Sequence, residues 1–249
     1  MLALTTPIEE AIPLDRFDSP SSHSASGPTG PASPGAARPP LALPRLNEPA
    51  PEFEANTTDG VRRLSDYEGK WLILFSHPAD FTPVCTSEFI AFARAKPQFD
   101  ALNTELLGLS IDSTFAHLAW IRSIREKFGV EIPFPIIDDI SMRVANAYGM
   151  IHPGASDTST VRATFIIDPE GFLRCIMYYP TTSGRSIAEL IRLMKALQTS
   201  RTHRVVTPEG WQEGDPVMLP PPATFEEAEG RSAEGQECRD WYYCTRTLS

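Results

Sequence analysis

The run Trp71-Leu72-Ile73-Leu74-Phe75-Ser76-His77-Pro78-Ala79-Asp80-Phe81-Thr82-Pro83-Val84-Cys85-Thr86-Ser87-Glu88 changes character twice. Its first five residues are apolar without a break, the pattern of a strand buried on both faces. A proline-flanked loop follows, and Phe89-Ile90-Ala91-Phe92-Ala93-Arg94 then continues as a helical stretch. Pro83 suits a first helical turn, where its missing N–H costs nothing. Cys85 falls in that same turn, where unpaired backbone N–H groups and the helix dipole favour an anion. The thiolate, not the thiol, is the nucleophilic form of cysteine. Ligands of α/β folds also gather at the C-terminal ends of buried strands. The run therefore predicts a buried strand, a loop, and a helix that opens on a reactive sulfur.

Working outward, Leu106-Leu107-Gly108-Leu109-Ser110-Ile111 reads as a second strand, and Phe134-Pro135-Ile136-Ile137 as a short third one. Between them Phe115, Leu118, Ile121, Ile124 and Phe128 recur at helical spacing and predict one buried apolar face. Ala163 to Ile167 and Phe172 to Tyr179 flank Pro169-Glu170-Gly171, a turn signal that makes them a hairpin. Ile187, Leu190, Ile191, Met194 and Leu197 give a final amphipathic helix. Strand, helix, strand, helix, then a hairpin and a last helix, is an α/β order. It predicts a mixed sheet with helices on both faces, of the thioredoxin-like kind.

The margins differ in composition. Ten of the 24 prolines lie in the first fifty residues, and Ser19 to Pro44 is Pro, Ser, Ala and Gly with almost no large apolar side chain. Such a segment cannot bury enough surface to offset its ordering entropy, so residues 1–45 are expected to be a disordered tail. Glu9, Glu10, Asp15 and Asp18 argue against a secretory signal there. Residues 46–204 form the expected domain, and residues 205–249 an arm. The arm carries nine acidic side chains against three arginines, then Pro220-Pro221-Pro222 and the aromatic cluster Trp241-Tyr242-Tyr243. A proline-rich piece with an aromatic end suits a dimerisation arm laid across another surface. A net charge of -10 disfavours nucleic acid and anionic membranes as partners. No apolar run is long enough for a membrane-spanning helix.

Pro78, Thr82 and Cys85 satisfy Pro-x-x-x-Thr-x-x-Cys, and the stretch from Phe75 to Glu88 resembles the peroxiredoxin family, in its peroxiredoxin-6-type or 1-Cys branch. The likeness extends from about Leu46 through Gly210-Trp211 and Pro220-Pro221-Pro222; the tail lies outside it. It implies a thiol-dependent peroxidase in which the Cys85 thiolate attacks the O–O bond of a hydroperoxide, releases water or an alcohol, and becomes a sulfenic acid. By that resemblance Thr82 would place its hydroxyl on the peroxide and the thiolate. Pro78 would shield the sulfur, and backbone N–H groups around Val84 and Cys85 would bind a peroxide oxygen. Arg162 would hold both thiolate and peroxide, and Arg185 would occupy a supporting, substrate-binding position. His77 and Glu88 would shape and hydrogen-bond the pocket. Taken singly, each residue has a plainer reading: a small buried thiol, a cap, a surface charge or a strand end.

A sulfenic acid must be resolved or it oxidises further. Cys175 lies on an alternating apolar face and reads as a packing residue. Cys238 and Cys244 form Cys-x5-Cys, which is not a usual zinc spacing, so no metal is expected. The pair resembles an archaeal-type subgroup of the same branch. That likeness implies that Cys244 attacks the sulfenic acid of Cys85 in the partner subunit and that Cys238 exchanges with Cys244. The plain alternative is two incidental thiols in a tail. The resemblance further implies a homodimer, assembling into a decamer, and a thiol reductant such as thioredoxin or glutathione. No cofactor is expected: there is no glycine-rich phosphate loop, no Gly-x-Ser-x-Gly and no Cys-x-x-Cys. Few cysteines fit a reducing compartment, hence a cytoplasmic location. A redox sensor or oligomeric chaperone using the same oxidisable cysteine is the competing function.

Overall fold

The computed structural model describes residues 43–156, 158–231 and 237–248; most of the expected tail falls outside them. A seven-stranded sheet runs in the order β2-β1-β5-β4-β3-β6-β7. Its strands are β1 (Glu54–Thr57), β2 (Gly60–Arg63), β3 (Trp71–Ser76), β4 (Thr104–Ser110), β5 (Ile136–Asp138), β6 (Arg162–Ile167) and β7 (Leu173–Tyr179). β3, β4 and β5 are parallel, while β6 runs antiparallel to both β3 and β7, so the sheet is mixed.

The opening run behaves as its composition demands. Every residue of β3 is buried. Leu72 and Leu74 pack into one core layer; Trp71, Ile73 and Phe75 pack into the other. That split is the period-two alternation of a strand covered on both faces. The long helices α1 (Pro83–Ala101), α2 (Thr114–Phe128) and α4 (Ile187–His203) all contribute to the second layer, through Phe89, Phe92, Trp120, Ile124, Leu190 and Met194. The opposite face is covered more lightly, by the short α3 (Arg143–Ala147), a 3-10 turn at Leu64–Tyr67 and the residues after α3.

Three expectations change. The buried face of α2 is His117, Trp120 and Ile124, whereas Phe115, Leu118 and Phe128 of the predicted stripe are exposed. The helix is fixed at both ends by polar signals, Ser113 accepting from the Ala116 N–H and Gly129 closing it at φ 66°. The side that meets the sheet is set by polar contacts as well as apolar ones: His117 bonds to Asp80 and the Ile137 carbonyl, and Trp120 Nε1 donates to Thr86 Oγ1. The third strand lies two residues later than its apolar run, at Ile136–Asp138. The region after α4 is folded and not merely extended. β8 (Val217–Met218), β9 (Glu237–Asp240) and β10 (Tyr243–Arg246) form a second sheet with β10 in the middle. Ala196, Val205, Trp211 and Val217 make a small core beneath it, which anchors the sheet on α4.

Candidate active site

The site grows from the junction of β3 and α1. Thr82 is the cap residue of α1, with extended backbone, and Pro83 opens the helix. The first internal helix bond is Thr86 N–H to Thr82 O, so the N–H groups of Val84 and Cys85 precede it and have no helical acceptor. Cys85 is wholly buried, because its spacing to Phe89 and Phe92 puts it on the core side of α1.

Arg162 begins β6, and β6 is the antiparallel neighbour of β3. That adjacency brings Arg162 Nη1 to 3.3 Å from Cys85 Sγ across 77 residues of chain. The same nitrogen donates to Glu88 Oε2 at 2.8 Å, and Nε and Nη2 donate to the Thr181 carbonyl at 3.1 and 2.8 Å. Glu88 lies one helical turn after Cys85 and is also buried. It receives Arg185 as well, through Nε on Oε1 at 2.9 Å, Nη2 on Oε2 at 2.8 Å and the Arg185 backbone N–H at 2.7 Å. Arg185 completes its bonding on the Ala163 carbonyl and Thr164 Oγ1, and its guanidinium lies 5.3 Å from the Phe75 ring centroid. Burial pushes the Glu88 carboxyl up, but the hydrogen bonds and charge of Arg185, joined by Arg162, outweigh it and hold the carboxyl below its ordinary value. The result is two buried guanidinium groups on one carboxylate, with positive charge to spare against the sulfur.

Of the residues singled out in the sequence, Cys85, Glu88, Arg162 and Arg185 meet directly. Thr82 Oγ1 donates to the Ala79 carbonyl at 2.9 Å and not to Cys85, and Pro78 is half-buried in the same loop. His77 is turned away from the sulfur network. Its Nε2 meets Asp80 Oδ1 at 2.8 Å, its Nδ1 has no partner among the described residues, and its ring lies against Phe89 and Trp120. Burial, partly opposed by Asp80, pulls the His77 imidazole below its ordinary value. Cys175 is half-buried against the helical core layer, and burial pushes its thiol up to about 11. Cys238 and Cys244 form a disulfide within the chain, across paired positions of β9 and β10. The plain alternative of two incidental thiols in a tail does not fit this pairing: Cys244 is buried, and the antiparallel register brings the two sulfurs together. Cys85 and Cys175 are the free cysteines. The reading from sequence missed Asp80 and His117. A histidine on an otherwise apolar helix and a carboxylate beside His77 were the available signals.

Residues 46–176 match the AhpC/TSA family, and residues 196–235 match the C-terminal domain of 1-Cys peroxiredoxin. A peroxiredoxin of Aquifex aeolicus is 54% identical over 219 residues, covering 84% of this chain and 99% of its own.

The chain belongs to the peroxiredoxin family.

A peroxiredoxin of Methanosarcina mazei is 49% identical and covers 82% of this chain and 98% of its own. Among solved structures, yeast mitochondrial 1-Cys peroxiredoxin is 38% identical with a TM-score of 0.74, covering 83% of this chain and 100% of that one. A cysteine-to-serine mutant of peroxiredoxin 6 of Arenicola marina is 33% identical with a TM-score of 0.73, covering 82% of this chain and 99% of that one. This peroxiredoxin is accordingly a thiol-dependent peroxidase, an oxidoreductase acting on peroxides, on a thioredoxin-like fold.

Proposed function

We propose that Cys85 is the sulfur that reduces hydrogen peroxide and organic hydroperoxides. The observation that carries this is Arg162 Nη1 at 3.3 Å from Cys85 Sγ, at the start of a helix whose first N–H groups have no helical acceptor. Positive charge on both sides of the sulfur stabilises the attacking thiolate. The same donors then face the peroxide oxygens as charge develops on them. The thiolate takes one peroxide oxygen, the O–O bond breaks, and the departing oxygen collects a proton to leave as water or an alcohol. Sulfur is oxidised by two electrons to the sulfenic acid. Thr82 and Pro78 bound the entry, Arg185 and Glu88 hold Arg162, and His77 shapes the loop.

The sulfenic acid is resolved by Cys244 of the partner subunit, which forms a Cys85–Cys244 disulfide and expels water. Cys238 then attacks Cys244, frees the Cys85 thiolate and closes the Cys238–Cys244 bond. Two electrons from a thiol reductant such as thioredoxin or glutathione reopen it. The closed Cys238–Cys244 pair supports this last exchange. The yeast mitochondrial relative resolves its thiol via glutathione/thioredoxin systems, which supports that reductant class. We place the chain in the cytoplasm, as a homodimer assembling into a decamer, in antioxidant defence and redox homeostasis.

A second reading, redox-controlled assembly through the same cysteine, draws on the exposed Phe81, Phe115 and Ile140. Steady-state turnover separates the two. The peroxidase proposal expects peroxide consumption with a thiol reductant that Cys85→Ser abolishes. Unchanged consumption in that variant, with its fold intact, would overturn it.

A further inference from the structure

Beneath the loop that joins β3 to α1 lies a buried polar cluster that the proposed chemistry leaves unused. Asp80 Oδ1 meets His77 Nε2 at 2.8 Å, and Asp80 Oδ2 meets Nδ1 of His117 at 2.8 Å. The other ring nitrogen of His117 meets the Ile137 carbonyl at 3.1 Å. All three side chains are essentially excluded from solvent. Three hydrogen bonds need three protons. A carbonyl only accepts, so His117 must donate from Nε2, and one further proton is shared between its Nδ1 and Asp80. Every facing atom of Asp80 and His117 is thus committed to a hydrogen bond, which argues against reading the cluster as a metal site.

Asp80 is also tied by its backbone, whose N–H donates to Asp112 Oδ2 at 3.0 Å. Asp112 is set in turn by Ser110 Oγ at 2.7 Å. Asp80 is the midpoint of the loop Pro78–Thr82, and the next residue, Phe81, is held at φ 59°, a conformation a bulky side chain rarely adopts. Thr82 follows directly and donates back to Ala79 across Asp80. The loop bearing Pro78 and Thr82 is therefore not set by its own sequence alone; it is clamped from α2 and from the turn after β4.

We infer that His117 is a positioning residue for the peroxidase site: it grips Asp80 and thereby fixes the loop that presents Thr82 and Pro78 beside Cys85. This rests on Cys85 being the peroxide-reacting sulfur. Because the clamp acts on the loop and not on the sulfur, its loss slows reaction with peroxide, which needs the aligned loop, more than reaction with an electrophile that does not. Misplacement of an aligned group by an ångström can cost on the order of a hundredfold.

Two variants split the two hydrogen bonds of one ring. In His117→Asn the amide can replace the Nδ1 donor to Asp80; in His117→Gln it can replace only the donor to Ile137. Asparagine leaves the larger void at this buried position, so a merely structural role would harm His117→Asn more than His117→Gln, the reverse of what the clamp predicts. Rates of Cys85 oxidation by hydrogen peroxide and of Cys85 alkylation by iodoacetamide are measured on the full-length wild type and on each variant. The expected result is a peroxide rate lowered at least about tenfold in His117→Gln and largely retained in His117→Asn, with alkylation changed less than about twofold in both. Equal losses in the two variants, no loss in His117→Gln, or peroxide and alkylation rates falling together overturns the inference. Should His117→Gln fail to fold, Asp112→Ala loosens Asp80 from its other side, and a wild-type peroxide rate there overturns it equally. A wild-type peroxide rate that survives Cys85→Ser is a different failure, of the peroxidase assignment itself.

Discussion

Glu88 Oε2 and Arg162 Nη1 lie 2.8 Å apart in a site from which water is excluded, and that one nitrogen also faces the Cys85 sulfur. The carboxylate thus holds the arginine in place while competing with the sulfur for its charge. Glu88→Gln keeps the shape and removes the charge, leaving Arg162 and Arg185 uncompensated. Breaking a buried pair in this way costs about 3–5 kcal/mol. Urea unfolding should show a loss of that order; a change under about 1 kcal/mol would contradict the account of the network.

Arg162 is expected to matter more for rate than for fold, because Glu88 stays paired with Arg185 when Arg162 is removed. Removal of one charge-stabilising donor typically costs about a hundredfold to a thousandfold in rate. Arg162→Gln should lower the rate of Cys85 oxidation by that order, read by stopped-flow with excess peroxide. A loss under about threefold would remove Arg162 from the chemistry.

Stability should fall in acid in two stages. His77 sits below its ordinary value of 6.5 when folded, so the native state prefers it neutral. Its contribution is fully present above pH 6.5 and is lost as pH falls through the folded value. Glu88 and Asp80 are also held below their ordinary 4.5 and 3.8, so their contributions persist above those values and are lost in stronger acid. Asp139, raised by burial, works in the opposite sense over the carboxylate range. The urea midpoint should be level from pH 8 to about 7, decline gently below about 6.5, and drop steeply below about 4.5. A midpoint that rises between pH 6.5 and about 5 would contradict the sign for His77.

Cys175 should be chemically quiet. With its thiol pushed up to about 11, only about one molecule in a thousand is thiolate at pH 8. Cys175→Ser should leave peroxide turnover at the wild-type value, and labelling with iodoacetamide at pH 8 should modify Cys85 well before Cys175. Preferential labelling of Cys175 would place it in a different environment.

The disulfide of the arm closes a short loop, six residues apart in sequence. A loop of that size restricts the unfolded chain by about 2 kcal/mol. Reduction should therefore loosen β9 and β10 first, seen as faster amide exchange across Glu237–Asp240 and Tyr243–Arg246 while β3 stays protected. Uniform exchange across both sheets on reduction would refute this.

The unbroken apolar run of β3 and the Pro78–Thr82–Cys85 spacing were readable because each is a local pattern with a local cause. The sheet hairpin at Pro169-Glu170-Gly171 was equally plain, since Gly171 takes the positive φ of 82° that the turn requires. The meeting of Cys85, Arg162, Arg185 and Glu88 was accessible only through family likeness, since it depends on β3 pairing with β6. The face of α2 was misread because Phe115 and Leu118 are apolar yet exposed, while the polar His117 is buried among hydrogen-bonding partners from two other elements. The second sheet was missed because its strands are two to four residues long and gain their order from the disulfide and from Trp211 and Val217 beneath.

With Cys238 and Cys244 bonded to each other, neither sulfur is available to meet an oxidised Cys85. On the proposed resolving role of Cys244, a Cys85 sulfenic acid formed in that state faces a race between two events: arrival of electrons at the arm and arrival of a second peroxide at the sulfenic acid. The second outcome carries the sulfur to sulfinic acid, which ordinary thiols do not reverse. If the arm resolves Cys85 as proposed, the lifetime of the enzyme under oxidant is governed by how quickly a hairpin at the far end of the chain is recharged, and not by how well the peroxide pocket is built.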